Sequence, residues 1–123
     1  LDAFERNLKR MADEIEGRAA KLRPHSKTHK CAVVALRQMA NGAVGVCCQK
    51  VGEAEAMVYG GIPDVLVSNQ IVGAAKLTSI AALARQAKIA VCADDAGTVA
   101  VSYTHMEPPR CVLVYIVVVD VCS

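Results

Sequence analysis

The segment Gly42-Ala43-Val44-Gly45-Val46-Cys47-Cys48-Gln49-Lys50-Val51-Gly52-Glu53-Ala54-Glu55-Ala56-Met57-Val58-Tyr59-Gly60-Gly61-Ile62-Pro63-Asp64-Val65-Leu66-Val67-Ser68-Asn69 decides the fold, because it reads as a strand, a helix and a second strand joined by short connections. Residues 43–48 and 64–68 are apolar runs of strand length, rich in Val, Leu and Cys, while 51–59 carries helical periodicity. The pair Gly60-Gly61 sits where glycine is expected past a helix C-terminus.

Working outward, the same alternation continues. Helices are expected at 2–16, with Leu8, Met11 and Ile15 on one face, and at 31–40, 74–86 and 96–104. Strands are expected at 20–26, 88–93 and 111–120, so that strand starts recur about every 21 to 24 residues. Asn41-Gly42 closes the helix at 31–40, and Ser68-Asn69 and Asp94-Asp95 follow strands as candidate caps of the next helix. No linker or low-complexity tract interrupts the chain, which therefore reads as one domain. Such alternation predicts an α/β architecture with a parallel sheet. An open doubly wound sheet and part of a closed eight-stranded barrel both satisfy it. A barrel needs about 250 residues, and this chain has 123.

Composition narrows the function classes. Hydrophobic residues make up 54% of the chain with only 3% aromatic, which suits strands covered on both faces and closely set helices. A net charge of +2 is too small for a general nucleic-acid or anionic-membrane binder, so neither partner is expected. The longest apolar run, Cys111 to Val119, is about half the length of a membrane-spanning helix and reads as a buried strand. With no signal-peptide pattern at its start, the chain is expected to be cytoplasmic. The six cysteines (Cys31, Cys47, Cys48, Cys92, Cys111, Cys122) are read as reduced thiols, several within apolar strands. None forms a Cys-x-x-Cys pair, and the adjacent Cys47 and Cys48 point to opposite faces of a strand, so no zinc site is expected.

The reactive groups concentrate in Leu22-Arg23-Pro24-His25-Ser26-Lys27-Thr28-His29-Lys30. If this stretch is extended throughout, Arg23, His25, Lys27 and His29 share one face. Such a face calls for an anionic ligand carrying phosphate or carboxylate. Crowding by other cations would also favour the neutral amine of Lys27, available for Schiff-base chemistry with a carbonyl. A solvated basic edge is the simpler alternative.

In either α/β architecture ligands gather at the carboxyl ends of the strands. Lys27, Gln49, Asn69 and Asp94 each end an expected strand and fall on that rim. Gln49 would hydrogen-bond or stack on a planar ligand, whereas Asn69 could instead cap the helix beginning near Val72. Asp94 and Asp95 suit an N-terminal dipole role, and His25 and His29 could act as acid, base or phosphate contact. Gly42 and Gly45 do not make a dinucleotide fingerprint, and no Walker-type loop or catalytic-serine elbow is present.

Three segments, Arg23-Pro24-His25-Ser26-Lys27-Thr28-His29-Lys30, Gly42 to Ala56 and Gly60 to Asn69, closely resemble the amino-terminal part of the D-threonine aldolase family, with 3-hydroxy-D-aspartate aldolase and eukaryotic-type D-serine dehydratase among its relatives. The likeness runs from about Leu1 to Asp95, with the motifs in family order. It implies a partial (β/α)8 TIM-type barrel of about five β/α units, similar to the amino-terminal domain of alanine racemase. It also implies pyridoxal 5'-phosphate on Lys27, the first lysine of the Lys-x-His-Lys motif, with His25, Gln49 and Asn69 as cofactor contacts.

The implied reaction is retro-aldol cleavage of a small D-3-hydroxy amino acid to glycine and an aldehyde. A dehydratase-type lyase and a non-enzymatic carrier of the pyridoxal-phosphate homeostasis type are the alternatives. The resemblance further implies a divalent metal, held by a carboxyl-terminal domain this chain lacks, and allows a homodimer of the full-length parent. Beyond Asp95 the likeness fades to Val119-Asp120-Val121-Cys122. The chain is therefore expected to be a fragment or remnant with little activity by itself.

Overall fold

The computed structural model describes residues 1–93 and the backbone of a strand at 112–116. The expected helix at 96–104, Asp94, Asp95, Cys111, Cys122, the flanks of the strand at 111–120 and the segment Val119 to Cys122 lie outside the described residues.

The elements run α1 (Asp2–Ile15), α2 (Ala32–Ala40), β1 (Val46–Cys48), α3 (Val51–Tyr59), β2 (Asp64–Gln70), α4 (Ala74–Leu83), β3 (Lys88–Ala93) and β4 (Val112–Ile116). All pairings are parallel, in the order β1-β2-β3-β4. The α/β class and parallel sheet expected from the alternation are thus observed. Among the described residues strand order follows chain order, with no reversal of the kind that creates the crevice of a doubly wound sheet.

Side-chain alternation assigns each face of the sheet. Val46, Cys48, Val65, Val67, Ile89 and Val91 point to one side and join Ala35 of α2, Ala54, Met57 and Val58 of α3, and Leu77, Ile80 and Leu83 of α4 in a single buried core. The three helices therefore cover the same face. Cys47 and Leu66, on the opposite face, are only half-buried, and the expected opposition of Cys47 and Cys48 is observed. Along that face the register aligns His25 with Cys47, Leu66, Ala90 and Leu113.

The helix ends follow from local chemistry. Gly42 (φ 95°) and Gly61 (φ 93°) take the left-handed conformation just past α2 and α3, and Ile62 N–H returns to Met57 O at 3.0 Å to close the end of α3. Helix α1 differs from the rest. It forms where its periodicity predicts, yet none of its residues is buried, Met11 is 43% exposed, and the Glu5–Arg37 ion pair at 2.7 Å ties it to α2.

The expected strand at 20–26 is corrected. It makes only an isolated parallel bridge, between His25 and Cys47. Leu22 O accepts from Val44 N–H (3.0 Å), Pro24 O from Cys47 N–H (2.8 Å), and Ser26 N–H donates to Cys47 O (2.8 Å). Pro24 has no N–H to contribute, so the ladder cannot extend through it. The segment lies along the free side of β1 as an edge.

Candidate functional site

Because the strands are parallel, their carboxyl ends share one edge, and the segment carrying Lys27 reaches it from beside β1. The chain stops being extended at Ser26. Lys30 N–H donates to Ser26 O at 2.8 Å, closing a turn over residues 26–29, and Lys30 itself is left-handed at φ 48°. A left-handed non-glycine residue costs about 1–2 kcal/mol, and the surrounding bonds hold it there.

This turn overturns the expected four-cation face. Alternation survives only as far as His25. Arg23 is paired with Asp64 at the opposite, amino-terminal end of β2 (Nη1 to Oδ1, 2.8 Å), and Lys88 approaches the other carboxylate oxygen at 3.4 Å. Arg23 therefore anchors the edge segment rather than facing a ligand. Gly45 lies beneath this contact, and a Cβ there would stand 2.6 Å from Arg23 Nη1. Lys27 is exposed, and among the described residues its Nζ makes no hydrogen bond or ion pair.

Each histidine of the segment binds its own chain. His25 Nδ1 accepts from Lys27 N–H at 3.2 Å, and His29 Nδ1 accepts from Cys31 N–H at 3.1 Å. His25 Nε2 stands 3.5 Å from Ser68 Oγ, which donates to Cys48 O at 3.2 Å. Beneath the turn, Ser26 is buried at 1% exposure. Its hydroxyl lies 3.1 Å from Cys47 O and 3.2 Å from Cys48 Sγ. Burial pushes the Cys48 thiol pKa up, against the opposing hydrogen bond from Ser26, with Glu53 and Cys47 adding to the rise. Cys92 is likewise raised by burial and by Cys47. The cysteines 31, 47, 48 and 92 are free thiols.

Gln49 and Asn69, the other expected rim residues, are brought together. Both are exposed and line a cleft of about 550 Å³ with Lys50, Gln70, Lys76 and Ser79, between the first turns of α3 and α4. Lys27 and His25 do not line this cleft. Asn69 does not cap α4 as expected. Strand β2 continues through Gln70, Asn69 Oδ1 accepts from Gln70 N–H at 3.0 Å, and Gly73 occupies the N-cap.

Two polar contacts at this edge were not anticipated from the sequence. Ser68 reads there as a candidate cap, but a register shift between β2 and β3 over Val67–Gln70 accompanies its reach back to β1. Glu53 accepts from Gln49 N–H at 2.9 Å and faces Lys30 at 4.0 Å. Its place in the first turn of α3 was the available signal. Among the described residues no three His, Cys, Asp or Glu side chains cluster to hold a metal ion.

A sequentially ordered parallel sheet with helices on one face and an accessible lysine at its carboxyl edge defines a strand-helix protein with an exposed amine at the strand-end rim. The chain is 52% identical over 96 residues to a D-threonine aldolase of an Arthrobacter species, covering 78% of this chain and 25% of that protein. It is 45% identical over 102 residues to 3-hydroxy-D-aspartate aldolase of Paracoccus denitrificans, covering 81% and 26%.

A D-threo-3-hydroxyaspartate dehydratase of a Delftia species is 39% identical over 66 residues, covering 54% and 17%. The crystal structure of D-threonine aldolase from Filomicrobium marinum superposes with a TM-score of 0.83 at 55% identity, covering 86% of this chain and 29% of that one. No protein-family model matches the chain. The chain is thus a homologue of the D-threonine aldolase group, as its motifs imply, and spans about a quarter of the length of the two aldolases it matches.

Proposed function

We propose that this chain is the cofactor-bearing, amino-terminal part of a pyridoxal-phosphate-dependent lyase of D-3-hydroxy amino acids, cleaving them to glycine and an aldehyde. The observation that carries the reading is Lys27. It is an exposed amine on a turn at the carboxyl edge of a parallel sheet, in a chain half identical to a D-threonine aldolase.

Lys27 would hold the cofactor through its amine. An accessible nitrogen with no partner among the described residues fits that requirement. When bound, the group supplies an electron sink for the charge left on the α-carbon as the Cα–Cβ bond breaks. Gln49 and Asn69, exposed near the same edge, would orient the ligand, Asn69 through its amide nitrogen because its Oδ1 already accepts the Gln70 N–H. The divalent metal that the resemblance implies would be held by residues outside those described, which gather no three metal-ligating side chains. Helices on one face and strands in chain order support completion of the sheet into an eight-stranded barrel by the rest of the protein.

The test is borohydride reduction of the full-length protein with added cofactor, followed by peptide mapping. A pyridoxyl group on Lys27 is expected. Label on a different lysine, or none, overturns the assignment. The similarity to D-threo-3-hydroxyaspartate dehydratase favours a second reading, a dehydratase-type lyase. Product analysis with D-3-hydroxy amino acids separates them, glycine plus aldehyde marking the first and ammonia plus an oxo acid the second. Labelled protein with no turnover would mark a cofactor carrier.

A further inference from the structure

We propose that His25 is a positioning residue, whose imidazole clamps the turn bearing Lys27 rather than contacting the cofactor. The inference rests on the reading of Lys27 as the cofactor-bearing residue and assigns His25 a role within it.

Both ring nitrogens are engaged by the protein. Nδ1 accepts the Lys27 N–H (3.2 Å), so in the neutral ring the proton sits on Nε2, the nitrogen facing Ser68 Oγ at 3.5 Å. Ser68 in turn donates to Cys48 O (3.2 Å). A relay of side chains thus runs from the backbone of β1 through β2 to the peptide of Lys27. The His25 carbonyl also receives Thr28 Oγ1 at 3.5 Å, while its peptide bridges Cys47 of β1. Lys27 makes no bond of its own at Nζ among the described residues, so the direction of its side chain depends on its backbone. His25 holds that backbone.

The geometry divides the ring into two halves that substitutions can keep separately. Asparagine retains an acceptor for the N–H two residues on, as in an Asx-turn. Glutamine reaches toward Ser68 but places no acceptor at the Nδ1 position. The experiment compares wild type, His25→Asn, His25→Gln and His25→Ala in the full-length protein by three readouts. These are the imidazole ¹⁵N shifts and Lys27 amide exchange without cofactor, and the rate of pyridoxyl labelling of Lys27 with it.

In the neutral ring of wild type, the proton is expected on Nε2 and not on Nδ1. Amide exchange should rise, and labelling slow, by roughly five- to ten-fold in the Gln and Ala variants, the size of one lost hydrogen bond. His25→Asn should restore both to within about two-fold. Equal labelling and exchange in wild type, Asn and Gln proteins would overturn the clamp, as would a neutral ring carrying its proton on Nδ1. If wild type itself takes no label at Lys27, the reading of that lysine falls instead, and the amide exchange still decides the clamp.

Discussion

The helix-covered face of the sheet and the edge segment Leu22–Lys30 are fixed by different forces. On the covered face, Val46, Val65, Val67 and Ile89 are each at most 1% exposed and meet α3 and α4 in one core. Burial of each such side chain contributes about 1.5–3 kcal/mol. The edge segment buries only Ser26. It is held by three backbone bonds to the β1 region, by Arg23 on Asp64 and by His25 on its own chain. Apolar packing fixes the scaffold, while directional polar bonds fix the turn that presents the amine. Lys27 can then stay exposed without weakening the core.

The sharpest way to break that comparison is Lys27→Ala. Loss of pyridoxyl labelling should be complete while unfolding free energy changes by less than about 0.5 kcal/mol, measured by denaturant titration of the cofactor-free protein. A large stability loss would mean the turn is part of the core. On the other side, Ile89→Ala should cost about 2–5 kcal/mol by the same titration, and in the protein that remains folded Lys27 should still take label.

Asp64→Ala comes next, because it frees Arg23 and Lys88 together. Removing the partner of a half-buried guanidinium should cost about 1.5–3 kcal/mol, and amide exchange should accelerate at Ser26 and Cys47 more than in α4. Uniform acceleration would show that the edge is not separately anchored. The smallest effect concerns Cys48. Its raised pKa means the folded state keeps a proton that the unfolded chain loses, so stability present below the ordinary thiol value falls as pH rises above it. Cys48→Ala should flatten that alkaline decline, whose slope from one thiol is at most about 1.4 kcal/mol per pH unit. An unchanged slope would assign the decline elsewhere.

Much of the scaffold was legible because it obeys short-range rules. The expected helices at 31–40 and 51–59 and the strand at 88–93 match α2, α3 and β3 within a residue. Errors arose where neighbours in space intervened. The strand expected at 20–26 shrank to one bridge beside Pro24. Strand β2 ran two residues past its expected end through an irregular register with β3, which took Asn69 out of any capping position. In the nonapeptide, the shared cationic face required an extended backbone that the Ser26–Lys30 turn removes.

Spacing of apolar runs, glycine placement and three ordered motifs determined from the chain alone that this is a parallel strand-helix protein related to D-threonine aldolase, with Lys27 the residue to examine. Only the tertiary structure decided which charges and polar groups meet. It sent Arg23 to Asp64 across 41 positions and Ser68 to the His25 ring across 43. A hydrogen bond depends on distance and angle between groups that sequence spacing leaves open, whereas apolar periodicity is written along the chain itself.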